Sequence, residues 1–131
     1  MIVLDTSFLI DYFKGVEETK RLVESNDDVA ITTITYHEIK TGLKRKKVKK
    51  EELFFRRFFS RVPILDFDTR AAEESSSIAA KLLAVGREIS VLDIMIAGIA
   101  VANGAEKIIT ADEDFLEIEK VSDLEVVLYR I

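Results

Sequence analysis

Short apolar runs alternate with longer amphipathic segments along the chain. Runs rich in Ile, Val and Leu predict strands over residues 2–5, 29–32, 63–66, 107–110 and 125–129. The spacing of apolar residues predicts helices over 6–13, 16–25, 50–61, 68–86 and 91–102, from Tyr36 into a basic tract, and briefly near Asp114. Strands that alternate with helices are typical of a mostly parallel sheet covered on both faces.

Polar residues and glycines mark the predicted helix ends. Thr6 or Ser7 can cap the first helix, Asp68 can cap the long one that ends at Gly86, and Ser90 can cap the next. No repeat, low-complexity segment or Gly/Pro/Ser-rich linker interrupts the pattern. We therefore predict a single α/β domain over residues 1–131, with three α/β/α layers and a mostly parallel, doubly wound sheet of about five strands.

The composition of the 131 residues narrows the available chemistry. Hydrophobic residues make up 48% of the chain, enough for a sizeable core, and there is no cysteine. The lack of cysteine excludes disulfides, thiolate zinc sites and cysteine nucleophiles, and the single histidine, His37, excludes a multi-histidine metal site. Any catalysis must therefore depend mainly on carboxylates.

Charge is spread unevenly along the chain. The net charge is −5, but residues 40–61 hold ten basic and two acidic side chains, so this basic tract carries +8 and the rest −13. The acidic total therefore does not argue against a nucleic-acid partner. No uncharged apolar run reaches about 18 residues and no signal-peptide pattern opens the chain, so we expect a cytoplasmic protein that does not enter a membrane.

Four carboxylates occupy similar places in the predicted fold, each just past a strand or in the first turn of a helix: Asp5, Glu38, Asp93 and Asp112. In open α/β sheets the carboxyl ends of the strands form the ligand crevice. Asp5 and Asp112 face each other there if their strands are neighbours at the reversal of strand order. Carboxylates gathered without a nearby Lys or Arg repel one another, and a hard cation such as Mg²⁺ or Mn²⁺ relieves that repulsion.

Helix capping is the alternative explanation for these acids. Thr35 with Glu38, and Ser90 with Asp93, have the spacing of a capping box. The other two acids can be helix N-caps. Local spacing alone therefore leaves both explanations open.

Asp93 favours the metal site. It is the only charged residue between positions 89 and 105, in a segment that is apolar on nearly all sides. Its own helix face continues as Ala97, Ala100 and Gly104, which offer no counter-charge. A carboxylate in such a helix is costly unless it is paired or bound to a cation.

Four short motifs, spread over essentially the whole chain, resemble the PIN-domain family. They are Ile2-Val-Leu-Asp5-Thr-Ser, a mid-chain Glu38, Gly86-x-x-Ile89-x-x-x-Asp93-x-x-Ile96-Ala97, and Ile109-Thr110-x-Asp112-x-Asp114-Phe115. Each motif is weak alone, whereas the four in this order are fairly specific. The size of the chain is similar to that of the toxin ribonucleases of VapBC-type toxin–antitoxin pairs.

This resemblance implies a function and partners. Proteins of the family hydrolyse RNA phosphodiester bonds with Mg²⁺ or Mn²⁺ held by an acidic cluster. They often form homodimers, and a small antitoxin protein silences them by filling the active-site groove. We therefore predict a metal-dependent endoribonuclease of the PIN-like α/β fold.

The resemblance also assigns roles to residues. The metal-binding acids correspond to Asp5, Glu38, Asp93 and Asp112. Asp114 matches a further acid of some members, and Thr6 and Thr110 match hydroxyl positions beside the cluster. Our hypothesis is that three aspartates, at positions 5, 93 and 112, hold the main ion, while the glutamate holds a second ion or orients the attacking water.

The densest part of the basic tract has two explanations. It lies between two predicted helices and comprises Lys44, Arg45, Lys46, Lys47, Lys49 and Lys50. These side chains either contact RNA phosphates or form a solvated helix end.

Two aromatic pairs and the lone histidine are equally open to two interpretations. Phe54 with Phe58, and Phe55 with Phe59, are spaced i, i+4 on one side of a helix. This spacing favours core packing over a groove for a dimer mate or an antitoxin helix. His37 is more often a structural residue in such a position than an acid–base group.

Other functions fit parts of the pattern. A magnesium-dependent phosphohydrolase would use Asp5, although Ser7 stands where Asp-x-Asp phosphatases have a second acid. A receiver-like switch has paired acids near its first strand, whereas here the acids are dispersed. A non-catalytic RNA- or protein-binding module would use the acids as caps, and metal dependence distinguishes it from the enzymes. The absence of a GxxxxGK[ST] loop argues against an NTPase.

Overall fold

A computed structural model describes residues 1–131. The strands are β1 Ile2–Leu4, β2 Val29–Thr32, β3 Ile64–Leu65, β4 Lys107–Thr110 and β5 Glu125–Leu128. The helices are α1 Thr6–Phe13, α2 Thr33–Lys46, α3 Lys49–Phe59, α4 Thr69–Ala84, α5 Val91–Ala102 and α6 Phe115–Glu119, with a single 3₁₀ turn at Glu17–Thr19.

All five strands are parallel, in the order β3-β2-β1-β4-β5. The central strand β1 pairs with both β2 and β4, and Ile2 lies opposite Val29 on one side and Lys107 on the other. After β1 the chain adds β2 and β3 on one side of it, and later adds β4 and β5 on the other side. The reversal of strand order therefore lies between β1 and β4, and the carboxyl ends of these strands border the crevice.

Two apolar layers cover the sheet. Successive strand residues point to opposite faces, so Val3 packs with α4, α5 and α6, whereas Leu4 packs with α1, α2 and α3. Both residues are fully or almost fully buried. The predicted three-layer α/β/α fold with a parallel sheet is confirmed. No helix has the length and apolar composition needed to cross a membrane.

Helices α4 and α5 approach each other closely at Gly98 of α5. A Cβ atom built at this glycine would lie 2.6 Å from the Cβ of Ser75 and 2.8 Å from the carbonyl oxygen of Ala71. The absence of a side chain thus lets the backbones of the two helices touch. This close approach sets the spacing between α4 and α5, the helix that carries Asp93.

The predicted helix over residues 16–25 is wrong. Only Glu17–Thr19 forms a 3₁₀ turn, in which the Thr19 hydroxyl donates to the carbonyl oxygen of Val16 at 2.6 Å. The apolar residues that follow, Leu22 and Val23, are adjacent in sequence. Both pack on the layer formed by α1, α2 and α3, here called the α1–α3 layer. Adjacent apolar residues do not build the stripe at 3.6-residue spacing that a surface helix buries.

The start of α2 also differs from the prediction, by three residues. Thr32 ends β2 and caps the helix, because its hydroxyl accepts a hydrogen bond from the backbone N–H of Thr35 at 3.1 Å. The helix therefore begins at Thr33 rather than near Tyr36. The long helix α4 begins as predicted after Asp68, whose carboxylate accepts from the N–H of Ala71.

Candidate active site

Four elements bring the predicted acids to the carboxyl edge of the sheet. Asp5 directly follows β1, and Asp112 is the second residue after β4. Glu38 lies in the second turn of α2, and Asp93 lies in the first turn of α5. Because β1 and β4 are neighbours, the crevice at the reversal of strand order lies between the first two acids, as the sequence predicted.

Asp5 is the most deeply buried of the four acids, with 4% of its surface exposed. Two hydroxyls donate to the same carboxylate oxygen, Oδ2: Thr110 Oγ1 at 2.7 Å and Ser7 Oγ at 2.9 Å. Burial raises the pKa of Asp5 above its ordinary value, and the two hydroxyl hydrogen bonds act against that rise. The carboxylate is therefore held in one orientation at a high desolvation cost.

Asp93 lies at the centre of the acidic cluster. Its pKa is raised to about 7, first by burial and then by repulsion from the carboxylates of Asp5, Asp112 and Glu38. A hydrogen bond between the side chains of Asp93 and Asp112 contributes to the same shift. The cluster thus stores electrostatic repulsion that a bound proton or cation relieves.

Carboxylate oxygens of Asp93, Asp112 and Asp114 approach most closely and lie within 4.8 Å of one another. Asp112 also closes a local turn, since its Oδ1 accepts from the backbone N–H of Asp114 at 2.9 Å. Asp5 is outside this closest group. Our hypothesis placed the main ion between the aspartates at positions 5, 93 and 112. In the structure, Asp114 rather than Asp5 joins Asp93 and Asp112 in the closest group.

Glu38 is oriented by a hydroxyl from α1. Thr6 Oγ1 donates to Glu38 Oε1 at 2.7 Å, and the Thr35 hydroxyl lies 3.0 Å from the same Thr6 oxygen. The capping-box explanation of Glu38 is wrong, because the cap of α2 is Thr32 and Thr35 lies inside the helix.

The capping-box explanation also fails at α5. Ser90 occupies the N-cap position, but its side chain makes no capping hydrogen bond. Asp93 is in the first turn, and its carboxylate lies beside those of Asp112 and Asp114. Helix capping therefore does not account for the position of this acid.

The donor set suits a hard divalent cation. All the converging side chains offer carboxylate oxygens, and none of the six salt bridges in the structure involves them. Oxygen-only ligands with a large negative charge are what Mg²⁺ and Mn²⁺ prefer. The residues present therefore fit the kind of ion that the sequence predicted.

Ser7 is a site residue that the sequence analysis did not identify. We considered it as a helix cap and as the residue that replaces the second acid of a phosphatase, yet α1 has Asp5 at its N-cap position and Ser7 donates to that carboxylate. Its oxygen also accepts from the backbone N–H of Ala111 at 3.1 Å, which ties α1 to the end of β4. The sequence signal for this role was a hydroxyl residue two positions after a strand-end aspartate.

The predicted hydroxyls lie beside the cluster, whereas the histidine does not join it. Thr110 donates to Asp5 and also accepts from the backbone N–H of Asp112 at 3.0 Å. His37 is exposed, and its side chain makes no hydrogen bond. The six predicted basic residues form the exposed end of α2, the loop that follows and the start of α3.

The four phenylalanines of α3 divide between the core and an open groove. Phe55 is buried in the α1–α3 layer, with 1% of its surface exposed. Phe54 and Phe58 are half-buried and line an apolar groove of about 730 Å³ between α1 and α3. Core packing is therefore confirmed for Phe55, whereas a partner in the groove lined by Phe54 and Phe58 stays a prediction.

Comparison with known proteins identifies relatives of the chain. The PIN-domain family model matches residues 2–121. The ribonuclease VapC3 of Methanocaldococcus jannaschii is 31% identical over 97 residues, which cover 74% of this chain and 95% of the relative. The tRNA(fMet)-specific endonuclease VapC of Shigella flexneri is 29% identical over 125 residues, which cover 93% of this chain and 92% of the relative. A chain of a toxin–antitoxin complex from Klebsiella pneumoniae superposes with a TM-score of 0.78, at 28% identity and over 100% of both chains.

Proposed function

The chain belongs to the PIN-domain family, and from this premise we propose that it is a metal-dependent endoribonuclease, the toxin of a VapBC-type toxin–antitoxin pair. One observation carries the proposal: carboxylates from four separate elements converge around Asp93 with no cationic side chain paired to them. Such an arrangement destabilises the fold without a bound cation. A metal ion bound by these carboxylates, and used in the reaction, best explains why the fold keeps them together.

The proposed ligands of Mg²⁺ or Mn²⁺ are Asp5, Asp93, Asp112, Asp114 and Glu38. When bound, such an ion lowers the pKa of water and polarises the non-bridging oxygens of the scissile phosphate. The protein contributes fixed carboxylates at one edge of a rigid sheet. Thr110 and Ser7 hold Asp5 in position, and Thr6 holds Glu38, so these ligands need little rearrangement before reaction.

Glu38 differs from the other acids in a way that suggests its role. It comes from α2, on the side of the crevice formed by the α1–α3 layer, and its Oε1 is engaged by Thr6. We propose that the remaining lone pairs of Glu38 accept hydrogen bonds from the attacking water and so orient it. Loss of this carboxylate is therefore expected to reduce turnover more than ion affinity.

The non-catalytic binding module is a weaker explanation of the structure. It requires the acids to be helix caps, and neither capping box forms. The phosphohydrolase of small esters remains chemically similar, and only the substrate distinguishes it from a nuclease. The named activities of the two VapC relatives favour RNA.

We further propose that a small antitoxin protein binds this chain. The solved relative from Klebsiella pneumoniae is itself a toxin–antitoxin complex. The apolar groove between α1 and α3 is open, and a helix with an apolar face can fill it. The homodimer implied by the resemblance stays a prediction, which sedimentation equilibrium can check.

The test of the nuclease proposal begins with Mn²⁺ alone, since the RNA target is unknown. Paramagnetic broadening of amide signals is expected to centre on residues around Asp5, Asp93 and Asp112. The Asp5→Asn variant should lose this broadening and should cleave RNA from a sequence panel at least about 100-fold more slowly. The matched Asp123→Asn variant removes an exposed acid outside the cluster and should behave as the wild type.

Two outcomes would contradict the proposal. Broadening scattered over the acidic surface, and equal in both variants, would show that the four acids form no metal site. Localised broadening without cleavage of any RNA, but with hydrolysis of small phosphate esters, would favour the phosphohydrolase.

A further inference from the structure

A small basic notch lies between α2 and α3, apart from the acidic cluster and the apolar groove. It encloses about 120 Å³ and is lined by Lys40, Lys44, Arg56, Glu52, Leu43 and Phe59. The three basic side chains make no salt bridge, and Glu52, which makes none either, leaves the lining with a charge of +2. The notch thus presents unpaired positive charge in a confined space.

An aromatic stack supports one wall of this notch. The Nζ atom of Lys40 lies 5.7 Å from the ring centroid of Tyr36, and the Tyr36 ring packs on Phe59 at 4.7 Å between centroids. Lys40 is half-buried, unlike the exposed Lys44. The cation–π interaction limits the rotamers of Lys40, so less entropy is lost when it binds an anion.

Few of the positive charges in the surrounding basic tract are paired with an acidic side chain. Within the basic tract, the only salt bridge joins Lys46 to Glu51, at 3.8 Å. At the tip, Lys47 has a φ of +55°, a left-handed conformation that Gly or Asn adopts at lower cost. A lysine at this point adds charge where the backbone would favour another residue. A polyanion would relieve the resulting self-repulsion.

We infer that the notch binds a backbone phosphate of single-stranded RNA whose scissile bond lies in the acidic cluster, an inference that rests on the proposed function. The volume is below the roughly 300–1,000 Å³ of small-molecule sites, so the notch accommodates a phosphate group rather than a nucleoside. Unpaired Lys and Arg side chains are the usual partners of phosphate oxygens.

The geometry of α2 predicts how far this phosphate lies from the cleaved bond. Lys40 follows Glu38 by two residues, which places it roughly 3 Å further along the axis and roughly 200° around it. Half the circumference of a helix about 10 Å wide is roughly 16 Å. A strand occupies both the cluster and the notch only if two of its phosphates lie this far apart, which neighbouring phosphates of a trinucleotide do not.

The test measures RNA binding rather than cleavage. In an Asp5→Asn background, the notch variant combines Lys40→Gln, Lys44→Gln and Arg56→Gln. The control variant removes the same number of positive charges from exposed positions elsewhere, through Lys14→Gln, Arg21→Gln and Lys81→Gln. Fluorescence anisotropy follows a mixed-sequence RNA of about 15 nucleotides, and amide shifts follow a trinucleotide, because a shorter strand offers fewer phosphates and binds more weakly.

The expected result is specific to the notch. The notch variant should bind the longer RNA about tenfold more weakly, with a log–log salt slope shallower by about 0.7 for each phosphate that it no longer neutralises. The control variant should change affinity by less than about twofold. The trinucleotide should also bind the notch variant more weakly than the control variant, because it loses its phosphate contact there. A variant with Lys40→Arg and Lys44→Arg, which keeps the charge, should bind like its parent.

Equal reductions of affinity in the notch and control variants would overturn the inference, because they would show only a general charge effect. Unchanged RNA affinity together with weaker antitoxin binding would overturn it in favour of a protein-docking surface. Failure of the nuclease proposal is distinguishable from either result. In that case the wild-type protein with Mn²⁺ cleaves no RNA, whatever the binding comparison shows.

Discussion

Asp93 carries a large electrostatic cost in the acidic cluster, and it is also one of the proposed metal ligands. It stands at the start of a largely buried helix and faces three further carboxylates. Without a cation, the folded protein can lower this repulsion only by binding a proton. The pKa of Asp93 is raised to about 7, because burial favours the protonated form and because that form avoids the repulsion.

The stability of the metal-free protein should therefore increase as the pH falls from about 8 to about 5. Between the unfolded-state pKa, about 3.9, and the folded-state value, the folded protein binds a proton at Asp93 that the unfolded chain does not. The free energy of unfolding thus rises on acidification, and the raised pKa of Asp5 acts in the same direction. Calorimetric melting temperatures in the presence of a chelator measure the effect.

Two comparisons make this pH prediction specific. The Asp93→Asn variant should melt at a higher temperature at about pH 8 and should show a flatter pH dependence, because it cannot ionise. Saturating Mn²⁺ should raise the melting temperature of the wild type most at high pH, where the carboxylates are free to bind it. A melting temperature that falls from about pH 8 to about pH 5 without metal would contradict the assignment.

At the scale of elements, the site depends on how closely α5 packs on α4. Gly98 allows this packing, since a Cβ there would overlap the backbone nitrogen of Ser75 at 2.8 Å as well as its side chain. Gly42 in α2 is also helical, but a Cβ at that position would have no neighbour within 4 Å. The two glycines therefore differ in environment and share a secondary structure.

Gly98→Ala should destabilise the fold, and Gly42→Ala should not. Overpacking in a tight core costs about 1–3 kcal/mol, which exceeds the gain of about 1 kcal/mol in helix propensity. At Gly42 only the propensity gain applies, so stability should rise by up to about 1 kcal/mol. Urea unfolding with equal m-values measures both changes. A stabilised Gly98→Ala protein would show that α4 and α5 separate without cost.

The elements also show what the sequence could and could not predict. The strands at 29–32 and 107–110 have the predicted bounds, because unbroken β-branched and apolar runs identify buried parallel strands. The four acids were identifiable because strand ends and helix starts meet at one edge of such a sheet. The role of Ser7 and the closeness of Asp114 depend on side-chain directions that no spacing rule contains. The close approach at Gly98 is between distant segments and is equally invisible in the sequence.

At the scale of the whole molecule, opposite charges are separated on the surface. The acidic cluster lies at the carboxyl edge of the sheet, whereas the basic tract forms the end of α2 and the beginning of α3. Acids alone would repel a nucleic acid, so in the proposed ribonuclease the basic tract would supply the attraction that brings RNA near. The apolar groove between α1 and α3 borders this tract, with Lys50, Arg57 and Arg61 in its lining. An antitoxin helix in the groove would thus be expected to combine an apolar face with acidic flanks.

The groove predicts a mutation that separates toxin from antitoxin. Leu53 lines the groove and is 45% exposed, so Leu53→Glu should leave the core intact while it places a charge against an apolar partner face. When the protein is co-expressed with its proposed antitoxin, this variant should bind the antitoxin at least about tenfold more weakly. Leu83→Glu provides the matched control, since Leu83 is 72% exposed on α4, which packs in the opposite layer. Equal binding by the two variants would place the antitoxin on another surface, while the acidic cluster and its proposed chemistry would be unaffected.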